Sequence, residues 1–436
     1  MIMFYTSMGE PPSYFGILRP DLSLYTPAGI LLQQTRKLRE GLGTALMSST
    51  TVNDPVAIYY SYPSSFGARI LNGPSYDFAR NNHDGAINLV ISLGLSFEYV
   101  TNARIESGET SLAKYKVLLL PNASAVSDKN AGEINEFVRN GGTVIADIRA
   151  GIFTDVLNVR KPGAFDNAAG ISRNGIQAAL KTSLTIPGRE DMKLLLEPGV
   201  QTSGGKALFV SPEKVPAVIV HPYGKGTFVT LNFSFHELPA FSPEGSELQS
   251  KIISFFDKVP PHAKVADGNG KPVFRLRRAE WKNGDMTILA FKSRPGPAMK
   301  CKAALPSARH VFNLNTEKAL GKVQTFEFEN TPPMPSFFVL SDSALPEIAL
   351  QSPASARRGE TVQVTYHVPQ MKGKRPFLLS LEKDRNVYGR KLELCADTLP
   401  GKASFRIALN DPAGAYRFVL KDVFTGAVRE LPLEVQ

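Results

Sequence analysis

Between residues 55 and 147, short and almost wholly apolar runs alternate with helical stretches, and this narrows the folds open to the chain more than any other feature. PVAIYYS (55–61), YKVLLLPN (115–122) and TVIAD (143–147) are runs of the fully buried kind. SFEYVT (96–101) is a further strand. Between them, Asp84, Ala86, Leu89, Val90 and Leu93 fall at helical spacing, with Gly94 as the stop. A second helix spans 127–140: Ser127 is its cap, and Ile134, Phe137 and Val138 face inward. Asn140-Gly141-Gly142 turns it into the next strand. Repeated units of this kind predict a parallel sheet with helices on both faces. An irregular stretch follows (150–205), then a hairpin over 216–235 and a closing helix over 244–257.

At Pro260-Pro261 the period changes to two. VFRLRRAEW, MTILAFKS and TFEFEN alternate as half-buried antiparallel strands up to about residue 345. From Pro346, five short strands follow at roughly even spacing (TVQVTYHV, FLLSLEK, ASFRIAL, AYRFVLKDV, RELPLEV), a pattern that suggests an immunoglobulin-like sandwich. The reading is therefore multidomain α/β plus all-β, which suits 436 residues because single cores stop growing at about 250–300. The domains are expected at 1–54, 55–260, 261–345 and 346–436. The first opens with a strand at 2–6, a Pro- and Tyr-rich loop, and a helix started by Thr26-Pro27. That strand has no preceding element to pair with, which suggests missing chain upstream.

Composition removes several function classes. Cys301 and Cys395 are the only cysteines, so a disulfide scaffold and a multi-cysteine zinc site are excluded. No run of about 18 apolar residues exists to make a spanning helix. MIMFYTSMGEPPSYFG lacks a basic start and an apolar h-region, so no signal peptide is expected in it. The chain as written reads as cytoplasmic, and as exported if a longer precursor exists. The net charge of +10 lies wholly in the C-terminal half: residues 261–345 hold 13 cations against 7 anions, and 346–436 hold 14 against 10. The densest cluster is Arg275, Arg277 and Arg278. Without a lysine-rich tail or an aromatic-plus-basic RNA motif, a solvated basic surface is expected and no nucleic-acid partner.

Catalytic signatures are mostly missing. There is no G-x-S-x-G elbow, no Walker A and no G-x-G-x-x-G; Gly224-Lys225-Gly226 and Gly268-Asn269-Gly270 read as hairpin turns. The six histidines are scattered, and neither metal nor cofactor is expected. Residues 55–260 follow the strand pattern of a class I glutamine amidotransferase-like (flavodoxin-like) domain, which needs a cysteine at the sharp turn after a buried strand. Here that turn is Pro121-Asn122-Ala123-Ser124. Asn cannot replace a thiolate, and Ser124 would need a base, for which His221 is the only candidate. A catalytically silent copy of the fold is the better reading, with Asn122, Ser124 and His221 marking the vestigial site. Sugar cleavage would need two carboxylates. Glu10 stands alone, and Asp147, at the end of a buried strand where such sheets bind ligands, could simply pair with Arg149.

These pieces resemble the C-terminal region of a multidomain glycoside hydrolase of the family-42 β-galactosidase type. YKVLLLPNASAVSDKNAGEINEFVRNGGTVIADIRAGIFTD (115–155) is similar to its trimerisation domain, DNAAGISR (166–173) to the element that follows, and HPYGKGTFVTLNF (221–233) to its hairpin. VFNLNTEKALGKVQTFEFE (311–329) resembles the small β domain that often ends such enzymes, and GAYRFVLKDVFTGAVRELPLEV (414–435) resembles bacterial immunoglobulin-like modules. Residues 1–50 look like the last strand and helix of a (β/α)8 barrel. The resemblance implies that both catalytic glutamates precede Met1, so the chain is expected to be inactive by itself. It implies a homo-oligomer, with a trimer as one form, and places candidate sugar contacts at Tyr5, Glu10, Tyr14, Tyr62, Asp147 and Arg149. A stand-alone carbohydrate-binding or surface protein is the alternative, using aromatics such as Trp281, Tyr388 or Tyr416.

Overall fold

The computed structural model describes residues 6–8, 16–18, 21, 23, 24, 28, 29, 32, 35–72, 77–177, 179–186, 192–242, 244–260, 262–274, 276–294, 296–332, 334–368, 372–395 and 400–436. The apolar runs form β1 (Val56–Tyr60), β2 (Glu98–Thr101), β3 (Val117–Leu120) and β4 (Thr143–Ala146). Three further strands, β5 (Lys206–Val210), β6 (Pro216–Tyr223) and β7 (Gly226–Leu231), complete a seven-stranded sheet of order β5-β6-β7-β4-β3-β1-β2. From β7 to β2 all neighbours run parallel; β5 and β6 add an antiparallel edge.

Both faces of this sheet are buried, which is why its strands carry little polar alternation. Val56, Ile58, Val117, Leu119, Ile145 and Val229 point to one face, under helix α2 (Asp77–Ser92) and helix α4 (Glu247–Ser254). Ala57, Tyr59, Leu118, Leu120, Val144 and Phe228 point to the other, under helix α3 (Asp128–Arg139). Each such aliphatic side chain contributes about 1.5–3 kcal/mol on full burial. Ser127 caps α3 by accepting from the Asn130 amide. The turn from α3 into β4 needs glycine for conformation at Gly141, with a φ of 112°, and for space at Gly142. A Cβ on Gly142 would stand 2.3 Å from the Phe137 ring, and one on Gly226 would stand 2.1 Å from the Val138 carbonyl oxygen.

Three elements differ from the sequence expectation. Helix α1 (Tyr62–Asn72) occupies a stretch for which no element was expected. The stretch 150–205 contains a hairpin, Leu180–Leu184 with Met192–Leu196, and a second pair, Ile171–Arg173 with Val200–Thr202. The strand expected at 2–6 is described only from Thr6: Thr6–Met8 pairs in parallel with Gly16–Leu18, so its partner follows it in the chain. The Thr26-Pro27 helix start lies outside the described residues.

Past residue 260 the described strands pair antiparallel, apart from Ser355–Ala356, which runs parallel to the last strand. The second sheet runs β8 (Lys264–Asp267), β11 (Met299–Asn313), β13 (Ser336–Ser341), β10 (Met286–Lys292), β9 (Arg277–Asn283), with β12 (Lys318–Asn330) paired to β11. Its other edge is supplied by Thr50–Val52, which pairs with β9. The last residues form two facing sheets, of three and five strands, over one core that includes Val364, Tyr366, Phe377, Leu379, Phe418 and Leu420. Leu42 and Ala45, from the helical segment 38–47, are buried in that same core. Among the described residues, no helix is long and apolar enough to cross a membrane.

Candidate functional site

Open α/β sheets bind ligands outside the carboxyl ends of their parallel strands, where the strand order reverses. Here the order β2-β1-β3-β4-β7 puts the reversal between β1 and β3. Hydrogen bonds span that position. Ser61 and Ser64 both donate to the Ala125 carbonyl, at 2.7 and 2.9 Å, while the Ala125 amide donates to Ser64 Oγ at 2.8 Å. The crevice between β1 and β3 is thus joined by protein rather than left open.

Asn122, at the turn after β3, has a φ of 49°. This is a left-handed conformation, and Asn is one of the few residues that tolerate it. Its amide donates to Asp147 Oδ1 at 2.9 Å. Its side-chain Nδ2 is buried without a hydrogen-bond partner, as is Asp147 Oδ2. Asp147 therefore does not pair with Arg149. Arg149, also at positive φ, forms its ion pair with Glu197 and donates to the Gln177 carbonyl, while Glu197 accepts the Gln177 amide at 2.8 Å. Glu197 lies 48 positions away, too far along the chain for pattern reading to find it.

Burial pushes the Asp147 carboxyl well above the usual carboxylate range; the amides of Asn122 and Phe235 pull against that shift, and nearby Glu237 adds to it. The folded state therefore holds a proton that the unfolded chain releases near pH 4. Stability declines as pH rises past that point, by about 1.4 kcal/mol per unit until the folded carboxyl ionises. Asp147→Asn keeps the acceptor for the Asn122 amide and removes the titration. It is expected to flatten this dependence in urea unfolding. Equal slopes for the two proteins between pH 5 and 8 would refute the protonated state.

Ser124 and His221 are not brought together. His221 pairs with Phe228, Phe228 with Val144 and Val144 with Leu118, so three strand spacings, about 14 Å, separate it from β3. Ser124 lies beyond Leu120 at the end of that strand, and His221 Nδ1 is 3.0 Å from the Ala168 carbonyl. Tyr62 is exposed at the start of α1, with its amide donating to Asn102 Oδ1 at 3.2 Å. Tyr5, Glu10 and Tyr14 lie outside the described residues. Of the aromatics named for the β domains, Tyr416 is buried with its hydroxyl donating to the Pro412 carbonyl, Trp281 packs half-buried on the last core, and Tyr388 is exposed.

This geometry has a counterpart among known proteins. Residues 96–240 match the family model of the β-galactosidase trimerisation domain. The match takes in β2 to β7 and the Asn122 turn. The fold extends beyond it. A β-galactosidase from Bacillus circulans sp. alkalophilus superposes with a TM-score of 0.57 at 16% identity, over 75% of this chain and 47% of that one. A family-42 β-galactosidase from G. stearothermophilus gives 0.59 at 14%, over 78% and 48%. The cold-adapted β-galactosidase from Rahnella sp. R3 gives 0.55 at 15%, over 77% and 48%. The chain thus spans about half the length of these structures. No curated protein matches it by sequence.

Proposed function

We propose that the chain is a non-catalytic structural and oligomerisation region of a carbohydrate-active enzyme of the family-42 β-galactosidase type. The carrying observation is the trimerisation-domain match over 96–240, a segment whose strained turn holds Asn122 where the amidotransferase-like relatives of the fold need a thiolate. In this reading, residues 1–54 close a (β/α)8 barrel, 55–260 are the amidotransferase-like domain, 261–345 a small β domain and 346–436 an immunoglobulin-like sandwich. The flavodoxin-like strand order β2-β1-β3-β4-β7 supports the second assignment. The two facing sheets over one core support the fourth. The glycosidic chemistry then belongs to carboxylates outside this chain.

Light scattering on the purified 436-residue chain tests the assembly. The expected species has about three times the 47.5 kDa of one chain, and it does not turn over nitrophenyl galactosides. A monomer at micromolar concentration would remove the oligomerisation role. Turnover abolished by Ser124→Ala would show instead that the turn is catalytic.

A further inference from the structure

We propose that the aromatic-walled cavity between α1, α2 and the ends of β1 and β2 is a binding site for a neutral pyranose ring. It is lined by Tyr60 and Tyr99 from the strands, Tyr62 and Phe66 from α1, and His83 with Asp84 from α2. Its volume is about 590 Å³, within the range of small-molecule sites and ample for a disaccharide. The rings form a continuous series. Tyr62 stands edge-on to Tyr60 at 5.1 Å, Tyr60 lies 5.0 Å from His83, and His83 lies 6.4 Å from Tyr99.

Three of these rings are open to solvent at one place: Tyr62 is 48% exposed, Phe66 62% and Tyr99 41%. A single exposed aromatic needs no explanation, but a contiguous set marks a contact surface. At its centre, His83 is only 8% exposed, and its Nδ1 is buried without a hydrogen-bond partner. That nitrogen is closed to solvent, so His83 lines the cavity with its ring rather than with Nδ1.

The charge in the cavity selects the ligand. Burial lowers the His83 imidazole to about 4, so near neutral pH it is an uncharged donor and acceptor. Asp84 is balanced by Arg80, whose Nε lies 3.9 Å from it. Aromatic faces also attract a quaternary ammonium, so choline is the competing ligand, whereas an anion site would need free cations. What remains are flat apolar faces beside neutral hydrogen-bonding groups. A pyranose matches both: its C–H face packs on the rings and its hydroxyl edge meets the imidazole and the tyrosine hydroxyls. The site is distinct from the Asn122 turn, and it rests on the accessory reading above for the choice of sugar.

Ligand-observed NMR titration of the 436-residue chain with lactose and β-1,4-galactobiose, with choline in parallel, tests this. Both sugars are expected to bind with Kd of about 5 mM or tighter, and choline is not. Tyr62→Ala and Tyr99→Ala should each weaken the sugars about tenfold, and Tyr62→Trp should not, with the light-scattering mass unchanged throughout. No sugar signal at about 20 mM would overturn the proposal. So would preferential choline binding, or substitutions that change the mass while leaving sugar affinity intact, because the face would then be an interface between chains. Sugar binding by a monomer would instead sink the oligomerisation role and leave this site standing.

Discussion

Replacing Arg278 with methionine is expected to destabilise the protein by about 3–5 kcal/mol, because it strands a buried carboxylate. Arg278 sits on β9 of the second sheet with its side chain 2% exposed, and its Nη2 pairs with Asp54, whose side chain is fully buried just before β1. The same guanidinium donates to the Gly94 carbonyl after α2 at 3.1 Å and pairs with Glu280 at 2.6 Å. Asp54 also accepts from the Ser96 amide at 2.6 Å and faces the His262 imidazole. One carboxylate thus ties the parallel sheet to the antiparallel one. Burial alone would push the Asp54 carboxyl up; His262, Arg278 and Ser96 together outweigh it and hold the carboxyl below the usual carboxylate range.

The direction of that shift supplies a second readout. A carboxyl held low when folded contributes stability that is present above its unfolded value, near pH 4, and is lost as pH falls through the folded value. The gap between the parent and Asp54→Asn is therefore expected to be constant from about pH 6 to 8, and to close below about pH 4. In Arg278→Met the carboxylate loses a buried cation, so stability should fall as pH rises through the acidic range. A gap for Asp54→Asn that persists unchanged at pH 3 would mean that packing, not charge, does the joining.

How far the amino-acid pattern reaches is visible in these same residues. The parallel sheet was legible because its determinants are local: Val56 and Ile58 face one way and Ala57 and Tyr59 the other, and only a strand buried on both sides permits that run. The turn at Asn122 was equally legible, since it follows an unmistakable apolar run. Helix α1 was not, because YPSSFG carries Pro, two Ser and Gly in its first six residues, and tertiary packing overrides that weak propensity. The polar contacts of the interior were illegible for a different reason. Arg278 belongs to the densest basic cluster, which reads as solvated surface, yet it points inward to a carboxylate 224 positions away. Arg149 and Glu197, or His83 and Tyr99, are likewise joined by the fold rather than by spacing. Charge counts therefore located the basic excess but not which cations leave the solvent.

Arg375 tests the same physics in the last core, and its replacement by leucine is expected to cost about as much, roughly 3–5 kcal/mol. It is the bulkiest fully buried side chain among the described residues. Its Nη2 pairs with Asp422, also 2% exposed, and its Nη1 donates to the Pro346 carbonyl, so it ties the strand 375–383 to both the strand 414–422 and the incoming chain. Asp422 also accepts from the Phe424 amide at 3.0 Å and from the Thr425 hydroxyl, which organises the turn into the final strand. Arg375→Lys keeps the charge but cannot reach both acceptors from one planar fork, so most of the loss should remain. Arg375→Leu with Asp422→Leu removes both charges. It should recover part of the stability, short of the parent, because the Phe424 amide and the Pro346 carbonyl then lack partners. Urea unfolding of the single and double variants measures the coupling directly. If the double variant is no more stable than Arg375→Leu alone, the stranded carboxylate is not the source of the cost, and the loss belongs to the volume that Arg375 fills.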